Sequence, residues 1–120
     1  MKLSESDRKD IIEGYINVIT RISDIEYQKR VWIRGEGLEC DDFDETTCQF
    51  FDISDPMLED SENFNFPPPQ LVLLKEFSNS YRKFSENNYW PPEFIDSPEW
   101  EKIIAMAKDV LKTFNFQKSS

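Results

Sequence analysis

The stretch SPEWEKIIAMAKDVLKTF, Ser97 to Phe114, decides the fold class. Trp100, Ile103, Ile104, Ala107, Val110, Leu111 and Phe114 recur at three- and four-residue steps, which places them on one stripe of an α-helix. Ser97 is a good N-cap, and Pro98 suits the first helical position, where no backbone N–H is needed. Such a stripe is stable only against other apolar stripes, so the neighbouring segments must supply them.

They do. Upstream, Leu71, Leu74, Phe77, Tyr81 and Phe84, widened by Val72 and Leu73, predict a helix from Pro69 or Gln70 to about Asn87. The intervening Asn87-Asn88-Tyr89-Trp90-Pro91-Pro92 reads as a turn pinned on the core surface. At the other end of the chain, Leu3, Ile11, Ile12, Tyr15, Ile16, Ile19 and Ile22 predict a helix over 4–22, capped by Ser4 or Ser6 with Asp7 in its first turn. Gly14 weakens its interior slightly. Ser23 and Glu26 have capping-box spacing for a second helix carrying Ile25 or Tyr27, Val31 and Trp32. Lys29, Arg30 and Arg34 occupy its last turns, and Gly35 stops it. Phe43, Thr47, Phe50, Phe51 and Ile53 predict a short third helix. Asp55-Pro56 reads as a cap and first position for a fourth, or for a kinked extension of the third, carrying Met57, Leu58 and Phe64. Phe66-Pro67-Pro68-Pro69 then forces an extended connection. No segment alternates with period two, and no hairpin turn signal occurs. The expectation is an all-α, compact single-domain bundle of five or six helices over 1–120, with a fraying tail from Gln117.

Composition sets the functional bounds. The chain has 24 acidic and 14 basic residues, no histidine, and a net charge of −10. Eleven of the acids lie between Gly35 and Leu74, a segment without Lys or Arg. Outside it, thirteen acids face fourteen bases, so the acidity is one local block. Seventeen aromatic residues exclude a disordered acidic tail. A pI near 4.4 excludes phosphate-backbone binding and attraction to an anionic membrane surface. A basic protein partner is the natural complement. The N-terminus turns polar at once and no apolar run spans a bilayer, so a cytoplasmic protein is expected. Oligomeric state is left open.

Catalytic and metal chemistry find little support. Without histidine the commonest general base and metal ligand are both missing. Cys40 and Cys48 have only acids nearby, which raise a thiol pKa, and both read as reduced thiols, Cys48 facing the core. A calcium loop beginning at Asp42 or Asp44 lacks the glycine at its sixth position. Gly35-Glu36-Gly37 lacks the third glycine, the strand and the lysine of a phosphate loop. A non-enzymatic protein with no cofactor and no metal is expected. The block also interleaves acids with Phe43, Phe50, Phe51, Met57, Leu58 and Phe64, as a binding face does. The candidate contacts are Glu36, Glu39, Asp41, Asp42, Asp44, Glu45, Asp52, Asp55, Glu59 and Asp60. Core positions are the expectation for Trp32 and Trp100.

Two segments, YQKRVWIRGEGLECDDFDETTCQFFD from Tyr27 and FIDSPEWEKIIAMAKDVL from Phe94, carry a family likeness. Over residues 24–112, and most in Arg30–Glu45, the chain resembles small acidic bacterial immunity proteins of contact-dependent growth-inhibition and polymorphic toxin systems. That resemblance implies a non-enzymatic cytoplasmic protein that binds one cognate toxin domain and occludes it. A basic, nucleic-acid-cleaving toxin would present its phosphate-binding surface to such an inhibitor. The other class of function compatible with the charge pattern is an acidic helical adaptor or regulatory module binding a basic host protein.

Overall fold

The computed structural model describes residues 4–35 and 42–114. Six α-helices are present among them: α1 Glu5–Ser23, α2 Ile25–Tyr27, α3 Phe43–Glu59, α4 Pro68–Asn87, α5 Pro91–Phe94 and α6 Pro98–Thr113. A π-helical segment, Gln28–Ile33, continues α2, and a 3-10 turn, Ser61–Phe64, follows α3. No strand occurs among the described residues, and no helix there is long and apolar enough to cross a membrane. Leu3, Cys40 and the tail from Gln117 lie outside the described residues.

The four long helices pack as a ring, α1 on α3, α3 on α4, α4 on α6 and α6 on α1. Ring neighbours run antiparallel. Tyr15 meets Phe50 and Arg21 bonds Gln49 between α1 and α3, while Phe43 meets Phe84 and Phe50 meets Phe77 between α3 and α4. Gln70 donates to the Thr113 carbonyl, joining the start of α4 to the end of α6, and Phe84 meets Trp100 at the opposite ends. Tyr15 also meets Phe114 beyond α6. Successive antiparallel long helices give an up-down-up-down four-helix bundle, with α2 and the π-helical segment in the first connection and α5 in the last.

Each helix begins for a local reason. Ser4 and Asp7 form a complete capping box at α1. The α6 cap is Ser97, whose hydroxyl accepts from the Trp100 N–H at 3.2 Å. At α4 the first two helical residues are Pro68 and Pro69, which carry no N–H to leave unpaired, and Pro67 precedes them in polyproline geometry. Gly35 ends the π-helical segment at φ +64°, a conformation that favours glycine.

Two expectations are corrected and one open alternative is decided. The second helix is capped by Asp24, whose Oδ1 accepts from Tyr27 N–H at 3.1 Å, and not by a Ser23–Glu26 box. Ser23 is the last residue of α1 and its hydroxyl donates back to the Thr20 carbonyl. Asp55-Pro56 starts no fourth helix; of the two alternatives left open there the extension of the third holds, since α3 runs unbroken from Phe43 to Glu59 with Pro56 inside it. Pro56 is on the exposed side, so the Asp52 carbonyl that loses its helical N–H partner faces solvent and not the core. The turn before α5 is only half pinned. Pro91 is buried, but Tyr89 and Trp90 are 75% and 56% exposed.

The core is largely aromatic. Phe50, Phe77, Tyr81 and Trp100 are fully buried at its centre, and Trp32 joins them against Trp100 at 6.2 Å. One polar side chain organises one end of this core. Gln28 is fully buried, accepts the Trp100 indole N–H at 2.8 Å, and donates to the Arg21 and Ile22 carbonyls at 2.9 and 2.7 Å. It thereby ties the π-helical segment to both α1 and α6. Nothing in its spacing marks it as inward-facing, and a polar residue is tolerated there because its amide is fully used.

Candidate protein-binding face

Helix α3 is built with two chemically opposite sides. Asp42 caps it, Oδ1 accepting from Glu45 N–H at 2.7 Å, and Asp44 and Glu45 in the first turn complement the positive end of the helix dipole. Phe43, Thr46, Phe50, Ser54 and Met57 are buried toward the bundle. At 3.6 residues per turn, Asp44, Glu45, Cys48, Asp52, Asp55 and Glu59 fall within about 100° of the opposite side. All of these but the half-exposed Asp55 are exposed. The resulting acidic ridge is roughly 22 Å long at 1.5 Å per residue, and α3 itself contains no basic residue. Cys48 therefore lies on the ridge and not in the core, a correction to the sequence expectation.

The ridge has two unlike edges. Toward α4, Asp55 makes a two-pronged ion pair with Arg82 Nη2 at 2.8 and 3.0 Å, and the Arg82 guanidinium lies over the Phe51 ring at 4.1 Å. Asp55 is accordingly neutralised within the molecule. Toward α1 the neighbouring base, Arg21, bonds the Gln49 amide oxygen. There α1 and α3 diverge around a groove of about 630 Å³. Its floor is Ile11, Gly14, Ile53, Pro56, Met57 and Phe64, and its lining carboxylates are Asp10, Asp52, Glu59 and Asp60, with no basic residue among the described residues of the lining. Asp60 caps the C-terminus of α3 and accepts from the Asn63 amide at 2.6 Å.

Of the ten residues singled out from sequence, the structure places Asp42, Asp44, Glu45, Asp52, Asp55, Glu59 and Asp60 on or at the ends of this one helix. Glu36, Glu39 and Asp41 lie outside the described residues. Sequence reasoning did not find Asp10, because an isolated acid on α1 carries no signal until α3 is laid beside it. Tyr89 and Trp90, just before α5, are exposed at the end of the bundle where Phe94 packs on Phe43 at 4.8 Å. Among the described residues no group of three His, Cys, Asp or Glu is placed to hold a metal. Burial in the core raises the Tyr15 hydroxyl well above the ordinary phenol range.

Comparison of the chain with protein-family models, curated proteins and solved structures finds no match.

Proposed function

We propose that this chain is a non-enzymatic inhibitor that binds a basic toxin domain through the outer side of α3, in the manner its resemblance to bacterial immunity proteins implies. The observation that carries the reading is the uncompensated acidic ridge. Of the described acids in the block, only Asp55 pairs with a base of the molecule itself. Like charges on one short helix repel one another, and an oppositely charged surface removes that cost while accelerating encounter. Exposed Trp90 and Tyr89, just before α5, supply the large apolar area that binding hot spots use. Inhibition by this route is occlusion, with no turnover.

The test is co-purification with the C-terminal domain of a secreted toxin encoded immediately upstream. We expect a stoichiometric complex that is lost with Asp44→Asn, Glu45→Gln and Asp52→Asn together, and weakened by rising salt. An equally tight complex with the triple variant overturns the acidic ridge as the contact. A partner unrelated to secretion, with no toxin gene adjacent, replaces inhibition by an adaptor role.

A further inference from the structure

We infer that the groove between α1 and α3 receives the apolar side of a basic amphipathic helix belonging to the partner. This deepens the reading above, on which the identity of the partner rests, and three observations on the groove itself carry it.

The first is its polarity. Asp10 on one wall and Asp52, Glu59 and Asp60 on the other present carboxylates, which accept hydrogen bonds. The Asp52 carbonyl, deprived of a helical N–H by Pro56, adds another acceptor. An occupant must therefore bring donors and positive charge at its margins, while the floor of Ile11, Ile53 and Phe64 accepts apolar groups at its centre. The second is the backbone. Both walls are helices whose N–H and C=O groups, the Asp52 carbonyl apart, are paired internally, so they offer no ladder to an extended strand. A peptide entering an apolar groove must satisfy its own main chain, which an α-helix does. The volume, about 630 Å³, lies within the range of sites that enclose a ligand.

The third is Gly14. A glycine inside a helix is costly, and the usual structural reason is close approach of another backbone. That reason fails here. A Cβ built on Gly14 meets only the Ile53 Cδ1 atom, at 3.6 Å, an ordinary contact. The packing of α1 on α3 does not require glycine, whereas a side chain longer than alanine would project into the groove. The missing side chain leaves room for an occupant.

The experiment uses the full chain and a fluorescent 18-residue peptide with leucine at i, i+3, i+4 and i+7 spacing and lysine elsewhere. Anisotropy should show saturable binding, and methyl NMR should place the shifts at Ile11 and Ile53 but not at Ile103. Gly14→Leu should weaken binding at least about tenfold, equivalent to ~1.4 kcal/mol, without lowering Tm. Gly14→Ala should raise Tm and largely retain the peptide. Equal affinity for a peptide with glutamate in place of lysine, or with serine in place of leucine, overturns the proposal. So do shifts confined to the outer ridge, a readout that holds even if Gly14→Leu fails to fold. With the toxin domain in hand the two readings separate. A complex unaffected by Gly14→Leu but lost with the ridge variant removes the groove and keeps the inhibitor. Peptide binding in the groove with no toxin domain captured keeps the groove and removes the inhibitor.

Discussion

The two ends of the bundle use apolar side chains to opposite purposes. At the end where α5 lies, Trp32, Phe43, Phe84, Phe94 and Trp100 close on one another, with Phe94 4.8 to 5.0 Å from three of its neighbours. These are the edge-to-face and tilted separations that aromatic pairs favour. At the opposite end Ile11, Ile53 and Phe64 surround open space, ringed by carboxylates. The first end is sealed because its buried polar side chain, Gln28, has its polar atoms matched. The second is left open, with acids that no base among the described lining residues matches. The contrast separates residues that hold the fold from residues whose retention the fold does not explain, and it can be tested by stability alone.

The largest effect belongs to the sealed end. Gln28→Leu keeps the approximate volume but leaves the Trp100 indole N–H and the Ile22 carbonyl buried without that partner. At about 1–3 kcal/mol for each buried group left unsatisfied, we expect a loss of roughly 2–4 kcal/mol in urea unfolding followed by circular dichroism. Trp100→Ala, which also opens a cavity, should cost about 3–5 kcal/mol. A Gln28→Leu variant as stable as the native chain would show that the amide does not seal this end.

A smaller effect of opposite sign is expected at Tyr15, the residue next to Gly14. Its hydroxyl is buried and has no hydrogen-bond partner, so Tyr15→Phe should gain up to about 1 kcal/mol at pH 7. A phenol is neutral when protonated, and burial raises its pKa in the folded state. The folded protein therefore holds a proton that the unfolded chain releases above about pH 10. Stability is intact below that pH and falls as pH rises past it. Tyr15→Phe should lessen this alkaline loss. Denaturation at pH 7 and pH 10.5 measures both effects, and a destabilised variant at pH 7 would mean that the hydroxyl is bonded.

The same contrast explains what the sequence disclosed. The sealed end and the long helices follow from apolar spacing, from Ser97-Pro98 and from Gly35, all of which act within a few residues. Gln28 stayed hidden because its partners, Trp100 and the end of α1, are remote in sequence or polar backbone. The continuity of α3 stayed one of two open alternatives because a proline inside a helix is tolerated only where the released carbonyl meets solvent, and exposure at Pro56 is a tertiary fact. The acidic run was legible as charge, and helical period then places Asp44, Asp52 and Glu59 on one side. The groove was not legible, since it exists only where α1, with Asp10 and Gly14, passes α3.

The smallest expected effect tests the open end most directly. Glu59 and Asp60 stand at the C-terminus of α3, where the helix dipole is negative and a carboxylate is disfavoured. Removing either charge, by Glu59→Gln or Asp60→Asn, should raise stability by about 0.3–1 kcal/mol, and the gain should shrink in high salt. An acid that opposes its own helix and still lines a groove is what a binding site looks like when stability and recognition pull apart. The decisive pattern is a change of sign: the same substitution strengthens the folded chain and weakens its hold on a lysine-rich helix. If Glu59→Gln instead destabilises the protein, its carboxylate serves the fold, and the difference between the two ends of the bundle disappears.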